Sequence, residues 1–157
     1  MSENNLKEIG KGSYGRVFKI KDNGLDIALK KTYGDFDISI LISYVREILI
    51  MSLLSHPNIL NCLDYKISKD SVEIYTPWYP SNLRDFINYY NNSGKITIPN
   101  RCISSMLLDI LQGIDFLHSN NIIHGDISED NILITSDNRC LIADFGLSQL
   151  DYIEQVR

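Results

Sequence analysis

Between Ile38 and Ser55 the chain is apolar on nearly every side. Ile38, Leu41, Ile42, Val45, Ile48, Leu49 and Leu53 fall at the spacing of one helical face. The other face, with Ile40, Tyr44, Met51 and Leu54, is also mostly apolar. A helix of this kind should be covered on more than one side. Arg46-Glu47 interrupts it near the centre, which makes it a poor membrane span, and His56-Pro57 ends it.

The segments before it have a different period. Residues 5–33 read as short strands: Arg16-Val17-Phe18-Lys19-Ile20 alternates, Asp22-Asn23-Gly24 is a turn signal, and Asp26-Ile27-Ala28-Leu29-Lys30 resumes the strand. After the helix, residues 59–67 and 71–76 read as two strands joined at Ser68-Lys69-Asp70. Pro77 and Pro80 bracket a connector, the expected boundary between a first lobe, 1–79, and a second, 80–157. The second lobe reads as a short helix from Leu83 to Tyr90, a loop at Asn91-Asn92-Ser93-Gly94, and a longer helix from Asn100 to His118. That longer helix carries Ile103, Met106, Leu107, Ile110, Leu111, Ile114 and Leu117 on one stripe. Ile132-Leu133-Ile134 and Cys140-Leu141-Ile142-Ala143 are strands around an Asp137-Asn138 turn. Strands plus one helix, followed mainly by helices, is an α+β order.

Composition narrows the function classes. With 15 Lys+Arg against 20 Asp+Glu the net charge is −5, which argues against a broad nucleic-acid footprint. Residues 81–157 carry the whole excess, five basic against ten acidic. Some of those carboxylates could ligate a metal, although a solvated acidic face is the blander reading. The polar start Met1-Ser2-Glu3-Asn4-Asn5 has no apolar signal region. Cys62, Cys102 and Cys140 stand apart without metal spacing and read as reduced thiols of an intracellular protein, cytoplasmic or nuclear. No membrane partner is expected.

Four motifs carry chemistry. Gly10-Lys11-Gly12-Ser13-Tyr14-Gly15 runs into a strand rather than a helix. That fits a glycine-rich hairpin whose backbone N–H groups approach phosphates, and it does not fit a dinucleotide fold. Lys30 would face inward from its strand and need a counter-charge, which Glu47 can supply. His124-Gly125-Asp126-Ile127-Ser128-Glu129-Asp130-Asn131 sets an Asp and an Asn five apart. Asp144-Phe145-Gly146 adds a second Asp one strand-turn-strand later. Together these acidic and amide groups can converge on a metal and a phosphate.

In this order the motifs resemble the signature set of the eukaryotic-type protein kinases, from about Ile9 to Gln149. His56-Pro57-Asn58-Ile59 and Leu111-Gln112-Gly113-Ile114-Asp115-Phe116-Leu117-His118 resemble further segments of that family. The resemblance implies a kinase-like bilobal α+β fold: a small lobe with a five-stranded antiparallel sheet and helix C, and the first part of a helical large lobe. It implies ATP and Mg²⁺ as cofactors and a protein substrate, with Ser/Thr the expected acceptor. Asp126 would accept or orient the proton of the attacking hydroxyl, and Lys30, paired with Glu47, would hold the phosphates. Asn131 and Asp144 would hold the metal. Ile9, Gly10, Lys11, Gly12, Ser13, Tyr14 and Gly15 would cover the nucleotide, with Val17, Ala28 and Leu133 sandwiching the adenine. Met51, His124 and Phe145 would stack as an internal spine. Tyr75 to Tyr79 would be the hinge, its adenine donor on Trp78 or Tyr79 depending on whether Tyr75 or Thr76 is the gatekeeper.

Three departures from the family pattern matter. Gly125 stands where most members have Arg, which implies activity independent of an activation-loop phosphate. Ser128 replaces the Lys two after the catalytic Asp, so a slower rate is expected. The chain reaches eleven residues past Gly146, so the Ala-Pro-Glu anchor and later helices are absent from it. The alternative to an active kinase is a kinase-like module that binds nucleotide or a partner without phosphoryl transfer. That partner would dock on helix C or on exposed large-lobe surface. A weaker alternative is a decoy for a full-length kinase's partners.

Overall fold

The computed structural model describes residues 7–12, 15–34, 36–93 and 97–151. The chain divides into two compact units: Met1–Ser55 with Leu60–Trp78, and His56–Ile59 with Tyr79–Arg157.

The first unit is an antiparallel sheet of five strands and one helix. The strands are β1 (Lys7–Gly12), β2 (Gly15–Asp22), β3 (Leu25–Tyr33), β4 (Asp64–Ile67) and β5 (Ser71–Pro77), in the order β1-β2-β3-β5-β4. Asn23 and Gly24 both take left-handed φ, 48° and 84°, and turn β2 into β3 as a two-residue hairpin. Cross-strand partners share a face. Val17 opposite Lys30, Ala28 opposite Thr76, Lys30 opposite Ile74 and Thr32 opposite Val72 therefore define one side of the sheet. Val72 and Ile74 are almost fully buried there.

Helix α1 (Ile38–Leu53) packs on that side. Asp37 caps it, its carboxylate accepting from the Ile40 amide at 2.9 Å and from the Ser39 hydroxyl at 2.6 Å. Those bonds, Ser39 foremost, hold the Asp37 carboxyl below the usual carboxylate range. The buried residues of α1 are Tyr44, Glu47, Ile48, Ile50 and Met51. Ile38, Ile42, Val45, Leu49 and Leu53 are exposed. Most of the expected apolar stripe therefore faces out, because the helix is turned to bring Glu47 inward. The expected strand over 59–67 is also shorter than its composition suggested. Only Asp64–Ile67 pairs with β5, while Ile59 belongs to the second unit and makes an isolated parallel bridge to Ile142.

The second unit holds α2 (Leu83–Ser93) and α3 (Asn100–Ser119), with short strands β6 (Ser81–Asn82), β7 (Ile122–Ile123), β8 (Ile132–Ile134), β9 (Cys140–Ile142) and β10 (Gln149–Leu150). Helix α2 continues through Asn91-Asn92-Ser93, where a loop was expected. Strands β6-β8-β9 form one sheet and β7 pairs with β10. Asn138, at φ 59°, turns β8 into β9. On α3 the buried residues are Met106, Asp109, Gly113 and Leu117. Ile103, Leu107 and Leu111 of the expected stripe are exposed.

The burial pattern makes a direct comparison. Ile74→Ala, at a position 1% exposed, is expected to cost about 2–5 kcal/mol in denaturant unfolding. Ile42→Ala, at a position 51% exposed on the outward stripe of α1, is expected to change stability by less than about 0.5 kcal/mol. Equal losses would mean that the stripe is buried after all.

Candidate active site

The glycine-rich segment forms the β1–β2 hairpin, with Gly10 opposite Val17, Lys11 opposite Arg16 and Gly12 opposite Gly15. Ser13 and Tyr14 lie outside the described residues. Gly15 is required by space: a Cβ there would lie 2.6 Å from Thr32 Oγ1 and 2.9 Å from the Lys31 carbonyl oxygen. Ile9 is exposed, while Val17 and Ala28 are half-buried, Ala28 on the same sheet face as Lys30.

Lys30 Nζ donates to both Glu47 oxygens, at 2.8 and 3.0 Å. Glu47 is nearly sealed, its side chain 4% exposed, whereas the Lys30 side chain keeps 26%. A carboxylate at that depth needs a cation. Deleting one partner of such a pair costs about 3–5 kcal/mol, because the other charge is left uncompensated. Glu47 thus holds the ammonium at a fixed place on its face of the sheet.

The ladder separates Tyr75 from Thr76. Thr76 is opposite Ala28 and shares the face of Lys30, while Tyr75 is opposite Leu29 on the other face. There the Tyr75 hydroxyl donates to Glu73 at 2.6 Å, and burial with that carboxylate pushes the phenol up to about 12. The Trp78 amide is committed to the Asp26 carbonyl at 3.2 Å, and the Trp78 ring lies under Lys19 Nζ at 3.2 Å. Tyr79 is thus the amide donor the resemblance would assign.

In the second unit, Asn131 Nδ2 donates to the Asp126 carbonyl oxygen and to Asp126 Oδ2, each at 2.9 Å. That turns Asn131 Oδ1 away from Asp126. The Asn131 carbonyl accepts from the Ala143 amide at 2.9 Å, tying the residue to the one before Asp144. Asp144 is held at φ 62°, a left-handed conformation that is strained for a residue with a side chain. Leu133, on β8, is half-buried.

His124 is buried and has a fixed tautomer. Its Nδ1 accepts from the Asp126 amide at 3.2 Å, so its Nε2 carries the proton and donates to the Ala143 carbonyl at 3.0 Å. Its ring meets Phe145 edge-on at 5.0 Å. Burial holds this imidazole below its ordinary value of 6.5, against the Ala143 carbonyl and the Asp126 and Asp144 carboxylates, which act the other way. Among the described residues no group of three or more His, Cys, Asp or Glu side chains is arranged to hold a metal. One carboxylate and one amide oxygen, from Asp144 and Asn131, still suit Mg²⁺, which usually takes only one or two carboxylates and completes its shell with phosphate and water.

A family model described as "Protein kinase domain" matches residues 4–154. The chain belongs to the protein kinase family. It is 33% identical over 152 residues to the serine/threonine-protein kinase SSN3 of Phaeosphaeria nodorum, an alignment that covers 92% of this chain and 34% of that one. It is also 33% identical over 153 residues to a chain of Acanthamoeba polyphaga mimivirus provisionally named serine/threonine-protein kinase L670, covering 98% of this chain and 27% of that one. The chain thus spans about a third or less of the length of these relatives. No helix among the described residues is long and apolar enough to cross a membrane.

Arg84 and Asp109 carry no motif and were missed in the sequence, and Asn58, quoted there only within His56-Pro57-Asn58-Ile59, was given no role. Arg84 of α2 braces the loop after Asp126, with Nε 2.6 Å from Asp130 and Nη2 3.3 Å from Glu129. Asp109 of α3 is buried and accepts from Arg139 Nε and Nη2 and from the Cys140 amide, at 2.7 to 3.0 Å. Asn58, fully buried, donates from Nδ2 to the Cys140 carbonyl at 3.0 Å. Helical spacing marks Arg84 and Asp109 as ordinary surface residues. Only the folded pairing shows otherwise.

Two outcomes are expected. Gly125 sits at φ 80°, and a Cβ there would meet the Leu147 carbonyl oxygen at 2.7 Å. Gly125→Ala and Gly125→Arg should therefore each lose about 1–3 kcal/mol in denaturant unfolding, since the cost arises at Cβ and backbone. For His124, the unfolded chain takes up a proton more readily than the folded one. The stability it contributes is full above about pH 6.5 and drains away as pH falls from there toward the depressed folded value. The melting temperature should fall over that window, and His124→Asn, though less stable, should show a shallower slope.

Proposed function

We propose that this chain is the nucleotide-binding and phosphoryl-transferring part of a protein kinase that moves the γ-phosphoryl group of ATP to a protein hydroxyl, with Ser or Thr as acceptor. The observation that carries the reading is the Lys30 ammonium, bonded to both oxygens of a sealed Glu47 on the same strand system as the glycine-rich hairpin. A lysine held in that way is a fixed positive charge for phosphate oxygens.

In this reading Lys30 binds the α- and β-phosphates, and Gly10, Gly12 and Gly15 bring backbone amides to the same anion. Val17, Ala28 and Leu133 hold the adenine and the Tyr79 amide orients it. Asn131 Oδ1 and Asp144 would hold Mg²⁺, which when bound neutralises charge on the transferring group. Asp126 takes the proton of the acceptor hydroxyl as its oxygen bonds to the γ-phosphorus and ADP departs. Asn131 fixes that carboxylate through its bond to Oδ2. Most of the barrier reduction comes from position and charge rather than covalent chemistry.

A second reading, nucleotide binding with little transfer, is favoured by Ser128. The basic side chain of α2 closest in role to the missing lysine, Arg84, is engaged by Asp130 and Glu129, which also raise its guanidinium pKa. It is therefore not at liberty to replace the lost charge.

The test is incorporation of labelled phosphate into a protein acceptor from magnesium–ATP. Transfer that disappears in Asp126→Ala and falls at least about a hundredfold in Lys30→Met establishes the kinase reading. Thermal stabilisation by magnesium–ATP without transfer, about 2.7 kcal/mol at a hundredfold excess over Kd, points to the second. The absence of both removes nucleotide from the function.

A further inference from the structure

Beside the Lys30–Glu47 pair lies a second link between the same strand and helix. Thr32 and Tyr44 are 7% and 3% exposed, and the Thr32 hydroxyl donates to the Tyr44 phenol oxygen at 2.9 Å. Thr32 is two residues beyond Lys30 and so on the same side of β3. Tyr44 is one turn before Glu47 on the same side of α1. Phe36 backs the Tyr44 ring edge-on, with centroids 5.9 Å apart.

One ion pair between a strand and a helix leaves the helix free to pivot about it. Two polar links side by side remove that freedom. The Thr32 hydroxyl has a further neighbour, because the absent Cβ of Gly15 would lie 2.6 Å from it. The last glycine of the glycine-rich hairpin thus rests on the same oxygen that holds the helix. Aliphatic side chains would fill this space equally well, but only the hydrogen bond gives the contact a direction.

We propose that Thr32 and Tyr44 are a positioning couple. Their bond holds α1 at the rotation and depth at which Glu47 meets Lys30, and so sets how firmly the ammonium is presented to a nucleoside triphosphate. The proposal rests on the reading of Lys30 as a phosphate-binding residue.

The full chain with Tyr44→Phe, Thr32→Val, or both keeps the carbon packing and removes the Thr32–Tyr44 hydrogen bond, with Thr32→Val leaving the Tyr44 hydroxyl in place as the control for its other interactions. Calorimetric titration with magnesium–ATP is one readout. The other, on nucleotide-free samples, is the ¹⁵N spectrum of the Lys30 ammonium, assigned by its loss in Lys30→Met and visible while Glu47 shelters its protons. Each single substitution is expected to weaken magnesium–ATP binding by about three- to tenfold, the scale of one buried hydrogen bond. The double variant should be no weaker than the worse single one, and Tyr44→Phe should cost nothing further in Lys30→Met. The ammonium signal should broaden in both single variants while β4 and β5 amides keep their protection. Unchanged affinity and an unchanged signal would overturn the couple, as would a full loss on top of Lys30→Met. If the unsubstituted chain fails to bind magnesium–ATP, the nucleotide reading fails by itself. The ammonium signal then decides the couple alone: broadening supports it and constancy refutes it.

Discussion

A sealed carboxylate organises the first unit. Glu47 cannot remain charged at its depth without Lys30, and Lys30 can reach it only if α1 turns that face toward β3. This single requirement sets the rotation of the helix. It draws Tyr44, Ile48 and Met51 inward with Glu47 and leaves Ile38, Ile42, Val45, Leu49 and Leu53 outside. The helix thereby keeps several large apolar residues in water, at a cost of roughly 1.5–3 kcal/mol for each side chain that could otherwise be fully buried. An unpaired Glu47 would cost more than any one of them. Charge pairing and the burial of Ile48, Ile50 and Met51 together hold the inward face.

The second unit repeats the logic. Asp109 is buried on α3, and its carboxyl stays below the usual carboxylate range because Arg139 and the Cys140 amide outweigh the effect of burial. To meet them the helix turns Asp109 and Gly113 toward β9, buries Met106 and Leu117 with them, and leaves Leu107 and Leu111 exposed. In each helix the expected stripe was misplaced for the same reason. Periodicity weighs every apolar residue alike, whereas one buried acid with a distant partner can decide between two faces that are both largely apolar. Arg139 lies thirty residues beyond Asp109, and nothing in the local pattern announces the pair.

What could be read beforehand was therefore what is local. The β2–β3 hairpin follows from Asn23-Gly24, and the elements near Leu83 and Asn100 follow from their periods. Lys30 and Glu47 could be matched because a lone inward lysine demands an acid and the following helix offers one. The gatekeeper register could not be decided, since Tyr75 and Thr76 differ only in which sheet face they take. The ladder assigns Thr76 to the Lys30 face through Ala28. Thr32 and Tyr44 were illegible in another way: each is an ordinary residue for its element, and only their contact carries meaning.

The strain at Asp144 needs a restraint on either side of it. A non-glycine residue at φ 62° costs on the order of 1–3 kcal/mol and persists only where its surroundings over-determine it. Before it, the Ala143 amide is bonded to the Asn131 carbonyl and the Ala143 carbonyl to His124. After it, Phe145 is fully buried with its ring against His124, and the Ser148 amide closes a turn onto the Phe145 carbonyl. His124 takes part on both sides, and its other ring nitrogen holds the Asp126 amide. Protonating that nitrogen would remove its only lone pair and release the Asp126 amide in the same step. The neutral imidazole is thus the common fastening for Asp126 and Asp144, and the burial that keeps it neutral belongs to the site as much as the two carboxylates do.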